Sequence, residues 1–127
     1  MKVLVIGAAG MVGRRLCERL LADGSLGGRA ISALTAFDVV GAGLPQGAVP
    51  VEEVAGDIAD RATVARLVAP RPDLIFHLAA IVSGEAEADF DKGYAINLDG
   101  TRDLFDAIRA QGGYCPRMVF ADRKSVV

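Results

Sequence analysis

The sequence predicts an α/β fold, a doubly wound parallel sheet with helices on its faces, and three observations carry that prediction. Short runs rich in apolar residues at 3–6, 30–37, 74–78 and 117–121, and a shorter one at 51–55 that also holds Glu52 and Glu53, have the length of strands. Stretches with helical spacing separate most of them, at residues 14–22, 61–69 and 90–110. The first run passes directly into three glycines, Gly7, Gly10 and Gly13, where a strand gives way to a helix. Strands that alternate with helices pair in parallel, and the expected order across the sheet is 3-2-1-4-5.

Val3 to Ile6 are wholly apolar and β-branched at three of four positions, as suits a central strand covered on both faces. In the helix that follows, Val12, Leu16 and Leu20 recur every four residues and are expected to face the core. A tight strand-to-helix turn that binds nothing would account for the glycines alone. A phosphate site accounts for the flanking strand and helix as well, because N–H groups at a helix N-terminus point outward and the helix dipole favours an anion. On that reading Gly7 permits the turn, Gly10 lets a diphosphate approach the backbone, and Gly13 lets the helix pack close to the strand.

Asp23 to Gly28 is a loop by composition. Residues 30–37 form the second strand, which ends at Asp38. An acid at that position accepts hydrogen bonds from the adenosine ribose of a dinucleotide. Asp38 stands 25 residues beyond Gly13, against a usual figure of about 20, and the glycine-rich loop absorbs the excess. Its carboxylate repels a 2′-phosphate, and Val39 and Val40 offer no cation for one, so NAD is preferred to NADP. After a loop holding Pro45 and Pro50, residues 51–55 make a third strand leading to Gly56-Asp57-Ile58. Asp57 either accepts from the adenine amino group or helps to start the next helix, for which Asp60 is the expected N-cap. That helix, 61–69, presents Val64, Leu67 and Val68 and stops at Pro70 and Pro72.

The fourth strand runs from Leu74 to Leu78 into Ala79-Ala80, small residues that leave room for a cofactor beyond the strand's carboxyl end. His77, the only histidine, is expected to be structural, having no evident partner for base catalysis. Glu85, Glu87 and Asp89 do not converge on one helical face, so they read as an acidic helix start and not as a metal site. The helix from Phe90 to Ala110 puts Asn97 on its inward stripe. There a buried amide either bonds backbone across the sheet or orders the nicotinamide end of a cofactor. Gly112-Gly113 end the helix, and residues 117–121 form the fifth strand.

With 127 residues, 52% of them apolar, and a formal net charge of −2, the chain has the length of one domain and the material for a core. The slight acidity offers no basic face for nucleic acid. No segment is long enough to span a bilayer. Lys2 followed by Val3 to Val12 departs from a signal peptide in its single charge, its glycines, and Arg14-Arg15 where a cleavage site would stand. The expected location is the cytoplasm. Cys17 and Cys115 are too few and too far apart for a disulfide framework or a metal site, and Cys17 reads as a small buried hydrophobe.

Taken together, these residues resemble the extended short-chain dehydrogenase/reductases, the NAD-dependent epimerase/dehydratase family, whose cofactor fold is of the Rossmann type. Gly7-Ala8-Ala9-Gly10-Met11-Val12-Gly13 matches the family's Gly-x-x-Gly-x-x-Gly. Gly56-Asp57-Ile58, His77-Leu78-Ala79-Ala80 and Asn97-Leu98-Asp99-Gly100-Thr101 match three further motifs in the same order. The resemblance implies NAD as cofactor, with its diphosphate at Gly7, Gly10, Met11, Val12 and Gly13, its adenosine ribose at Asp38 and its adenine at Asp57 and Ile58. It places Leu78, Ala79 and Ala80 beside the cofactor and Asn97 near the nicotinamide ribose. Residues 80–87 with 91–94 most resemble members that oxidise a small sugar acid, which implies that kind of small-molecule substrate. Nucleotide-sugar epimerases and dehydratases share everything but that loop, and some relatives are non-catalytic NAD-sensing modules. Members are usually dimers, so a homodimer is expected.

The family also carries a pair of serines after the fifth strand and a later Tyr-x-x-x-Lys, whose tyrosine accepts the hydroxyl proton and whose lysine lowers its pKa. Tyr94 and Tyr114 have no lysine four residues on, and Ala121 is followed by Asp122-Arg123-Lys124-Ser125-Val126-Val127. Those residues are what a common sequencing-adapter read, GATCGGAAGAGCGTCGTG, encodes, and they are expected to be a non-native tail. The chain therefore reads as one cofactor-binding domain, residues 1–121, truncated after the fifth strand and holding none of the catalytic residues. It is expected to be inactive alone and to expose an apolar patch and an open edge beside that strand.

Overall fold

The computed structural model describes residues 1–41, 43, 44, 47, 49–56, 60–78 and 102–120. Strand β1 (Lys2–Ile6) leads into α1 (Met11–Asp23), a short hairpin of β2 (Ser25–Leu26) and β3 (Arg29–Ala30), and then β4 (Ala33–Asp38). After β5 (Val51–Ala55) come α2 (Arg61–Val68), β6 (Leu74–His77), a helix α3 over residues 102–110 and β7 (Arg117–Phe120). The five longer strands form one sheet in the order β5-β4-β1-β6-β7, with every neighbouring pair parallel. This is the expected doubly wound Rossmann-type order.

Alternation along β1 sorts the core into two layers. Val3 and Val5 point to one face, where Cys17 and Leu20 of α1 pack with Leu34, Ala36 and Leu74. Leu4 and Ile6 point to the other, against Phe37, Ile75, the Val64, Leu67 and Val68 face of α2, and Leu104 of α3. Because both faces are covered, neither set of alternating positions can be polar, and Val3 to Ile6 are apolar without a break.

Two expectations are corrected. The buried face of α1 is Gly13, Cys17 and Leu20, whereas Val12 is exposed and Leu16 only half-buried. The helix is rotated so that Gly13 meets the strand, which turns Val12 outward. The second strand begins at Ala33 and not at residue 30. Gly27 (φ 59°) and Gly28 (φ 82°) take left-handed backbone side by side and close a two-residue hairpin between Leu26 and Arg29. Residues 25–30 pair with each other instead of entering the main sheet, and so take up the extra spacing before Asp38.

Asp60 caps α2 as expected, accepting hydrogen bonds from the Ala62 N–H (3.0 Å) and the Thr63 hydroxyl (3.1 Å). At the amino ends of the strands, the Gln111 amide donates to the Val68 carbonyl (2.6 Å) and accepts from Arg71 Nε (2.9 Å). Tyr114 donates its hydroxyl to the Pro72 carbonyl. These bonds tie the α2–β6 turn to the α3–β7 turn. On β7, at one edge of the described sheet, Val119 is exposed. The acidic stretch Glu85, Glu87 and Asp89, the first part of the expected 90–110 helix, and residues 121–127 lie outside the described residues.

Candidate functional site

The winding of the sheet reverses between β1 and β6: β4 and β5 lie to one side of β1, β6 and β7 to the other. Ligands of such sheets bind beyond the carboxyl ends of the strands at that reversal. Ile6 and His77 are register partners there, and the Leu78 N–H donates to the Ile6 carbonyl (2.8 Å). Gly7 follows Ile6 directly, so the glycine loop starts at this crevice.

Each glycine of the loop has its own reason. Gly7 has φ 95°, a backbone conformation that costs any L-residue roughly 1–2 kcal/mol. A Cβ on Gly13 would stand 2.1 Å from the Gly7 oxygen, so only a glycine lets α1 approach β1 this closely. Gly10 differs from both. Its backbone is extended (φ −70°, ψ 165°), and a Cβ there would make one ordinary contact, 3.5 Å from the Gly7 oxygen. Among the described residues, packing does not require a glycine at position 10. A diphosphate seated against the start of α1 would need that space.

Most of the loop's own amides are engaged within the fold. Gly7 and Ala8 N–H both donate to the Phe37 carbonyl (2.8 and 3.1 Å), Ala9 N–H to Asp38 Oδ2 (2.9 Å), and Gly10 N–H to the Gly7 carbonyl (3.3 Å). The helical ladder then opens with Arg14 N–H to the Gly10 carbonyl (2.8 Å). The N–H groups of Met11, Val12 and Gly13 precede that bond and carry the positive end of the helix dipole. The first turn holds no acidic residue to compete for them, and Met11 is 79% exposed.

Asp38 sits at the end of β4, its other carboxylate oxygen accepting from the Val39 N–H (2.7 Å). The Gly56 N–H donates to the Asp38 carbonyl (3.0 Å), which draws the end of β5 to the same corner. Val39 and Val40, which follow Asp38, are exposed and apolar. The fold thus brings Gly7, Gly10, Met11, Val12, Gly13 and Asp38 together. Leu78 reaches the crevice with its backbone, while its side chain is buried in the α1-side core. Asp57, Ile58, Ala79, Ala80 and Asn97 lie outside the described residues. Two contributors escape a reading of the sequence, the Phe37 carbonyl and the Ala9 amide. They act through backbone, which has no signature in residue type.

The profile of the NAD dependent epimerase/dehydratase family matches residues 3–123. The chain belongs to that family. D-erythronate dehydrogenase from Cupriavidus necator is 42% identical over 132 residues, taking in 99% of this chain and 40% of that protein. A solved structure described as the nucleoside-diphosphate-sugar epimerase from Agrobacterium tumefaciens matches with a TM-score of 0.84 at 56% identity, over 94% of this chain and 36% of its own. Uronate dehydrogenase from Agrobacterium tumefaciens, in a mutant form complexed with NAD, matches with a TM-score of 0.67 at 31% identity, over 94% of this chain and 40% of its own. The chain thus spans 36% to 40% of the length of these relatives.

Three other reactive side chains of this family member are in the wrong state for chemistry. His77 is completely buried, and burial pushes its pKa down to about 4, so it is a neutral core residue as expected. Tyr114 lies at the amino end of the sheet, and its pKa is raised to about 12, by burial first and then by Asp73, against the opposing pull of Arg71. A tyrosine that accepts a proton needs the opposite shift. Cys17 is buried, and burial with the charges of Glu18 and Glu53 lifts its thiol to about 12, far from a reactive thiolate. Among the described residues no group of His, Cys, Asp and Glu is arranged to hold a metal ion, and no helix is long and apolar enough to cross a membrane.

Proposed function

We propose that this chain is the cofactor-binding part of an NAD-dependent dehydrogenase that oxidises a small sugar acid such as D-erythronate. One observation carries the reading: the Asp38 carboxylate stands against the Ala9 amide, beside the opening of α1. The N–H groups of Met11, Val12 and Gly13 hold the diphosphate, and Gly7, Gly10 and Gly13 shape the loop that admits it. Asp38 accepts from the ribose hydroxyls and repels a 2′-phosphate, which favours NAD over NADP. Asp57 and Ile58 take the adenine, Leu78, Ala79 and Ala80 flank the cofactor, and Asn97 orders the nicotinamide ribose.

When bound, NAD supplies the hydride acceptor for the substrate's carbinol carbon. These residues bind and orient it, and no Tyr-x-x-x-Lys occurs in the 127 residues. In the whole protein that pair takes the hydroxyl proton, and the whole enzyme is a cytoplasmic homodimer. The choice of substrate is supported by the 42% identity to D-erythronate dehydrogenase. A second reading, a nucleotide-sugar epimerase, is favoured by the 56% identity to the structure described as one.

The test is made on the complete gene product, titrated with NAD and NADP and then assayed. Dehydrogenation of D-erythronate accumulates NADH. An epimerase interconverts UDP-sugars with no net NADH, and an NAD-sensing module binds NAD and does neither. Tighter binding of NADP than of NAD would overturn the cofactor assignment.

A further inference from the structure

We propose that Asp38 is a positioning residue for the diphosphate site in addition to being the ribose acceptor, its carboxylate latching the glycine loop in the shape that turns the first amides of α1 outward. This rests on the NAD reading above. Three consecutive loop amides, those of Gly7, Ala8 and Ala9, end on the last two residues of β4, Phe37 and Asp38. The two bonds to Phe37 use its carbonyl, which any residue supplies. The bond from Ala9 alone of the three depends on a side chain, and a carboxylate acceptor makes it a charge-assisted one.

Gly10 follows Ala9 at once, and its carbonyl accepts the first hydrogen bond of α1. The latch therefore sits one residue from the N-cap. The loop has little stiffness of its own to replace it, because glycines at positions 7 and 10 leave the backbone free to rearrange. Asp38 Oδ1 is already engaged by the Val39 N–H, so the two oxygens hold strand end and loop together. A consequence for specificity follows. An exchange at position 38 that removes the side-chain acceptor to admit a 2′-phosphate also releases Ala9, so such an exchange by itself does not produce a good NADP site.

The test uses Asp38→Ala, which can accept from neither Ala9 nor Val39. Asp38→Ser, which also removes the carboxylate, is the second variant. In each, unchanged exchange of the Leu4, Val5 and Ile75 amides reports that the chain is folded. Without ligand, amide hydrogen exchange at Ala9 in the full chain is expected to quicken about tenfold or more.

The second measurement is affinity for 2′,3′-dideoxyadenosine diphosphate, which offers Asp38 no ribose hydroxyl. Removing a negative charge beside an anion site would by itself tighten binding, so a latch is revealed by the opposite sign, a loss of about three- to tenfold. Unchanged exchange at Ala9, or equal or tighter binding of the dideoxy probe, overturns the proposal. If the unmodified chain binds neither NAD nor the probe, the NAD reading fails, and exchange at Ala9 decides the latch without it.

Discussion

Gly13 faces the Gly7 carbonyl across the strand-to-helix turn so closely that a Cβ on Gly13 would lie 2.1 Å from the oxygen and 2.9 Å from the carbon. Both atoms are backbone and cannot swing aside as the tip of a side chain does. Gly13→Ala must push α1 away from β1, and is expected to lower stability by about 2 kcal/mol or more. A lower urea midpoint at unchanged slope is the sign to look for.

Gly10→Ala should behave in the opposite way. The described residues surround that position loosely, so the expected structural cost is that of a poorer N-cap, within about 1 kcal/mol. Affinity for NAD should drop at least about tenfold, because the methyl group would enter the space proposed for the diphosphate. A variant that is both stable and binds NAD as the parent does would leave Gly10 without a role.

His77 gives the fold a pH dependence of known sign. Its pKa is about 4 in the folded chain and 6.5 unfolded, so between those values the unfolded chain binds the extra proton. Stability is full above about pH 6.5 and declines as the pH falls toward 4, by about 3 kcal/mol from this residue. Urea midpoints measured across that range should fall less steeply for His77→Gln than for the parent.

The two thiols should separate cleanly by rate. Cys115 is exposed and Cys17 buried, with its thiol raised to about 12. Iodoacetamide at neutral pH should label Cys115 in the folded chain and reach Cys17 only in denaturant, as read by peptide mass.

Tyr114→Phe removes the hydroxyl that bonds the Pro72 carbonyl, and about 1 kcal/mol of stability should go with it. NAD affinity should not change, because the residue lies at the opposite end of the sheet from Gly7. In the parent the phenol should resist ionisation until about pH 12, visible in an ultraviolet titration.

Much of the architecture was legible from residue type. The apolar runs Val3–Ile6 and Leu74–Phe76 marked β1 and β6, the Asp60 cap and the Val64, Leu67 and Val68 face marked α2, and residues 51–55 proved to be a strand with those limits. The hairpin at Ser25–Ala30 was announced by Gly27-Gly28, but a loop reading overlooked that two adjacent glycines also suit a two-residue turn. The rotation of α1 was legible in the reading of Gly13 as the point of close approach, but not in the apolar spacing. Spacing alone allows Val12 or Gly13 to face inward, and a glycine adds nothing to an apolar stripe.

The sequence by itself determined that a strand, a glycine turn and a helix follow one another, and that an acid ends the next strand of the sheet, since propensity, periodicity and glycine's freedom are properties of short segments. Only the tertiary structure decided that the Asp38 carboxylate meets the Ala9 amide, that Phe37 anchors the loop, and that His77 is sealed from water. Those outcomes depend on where individual groups find partners and how closely the layers pack once the strands are side by side. The order of side chains along the chain does not record that.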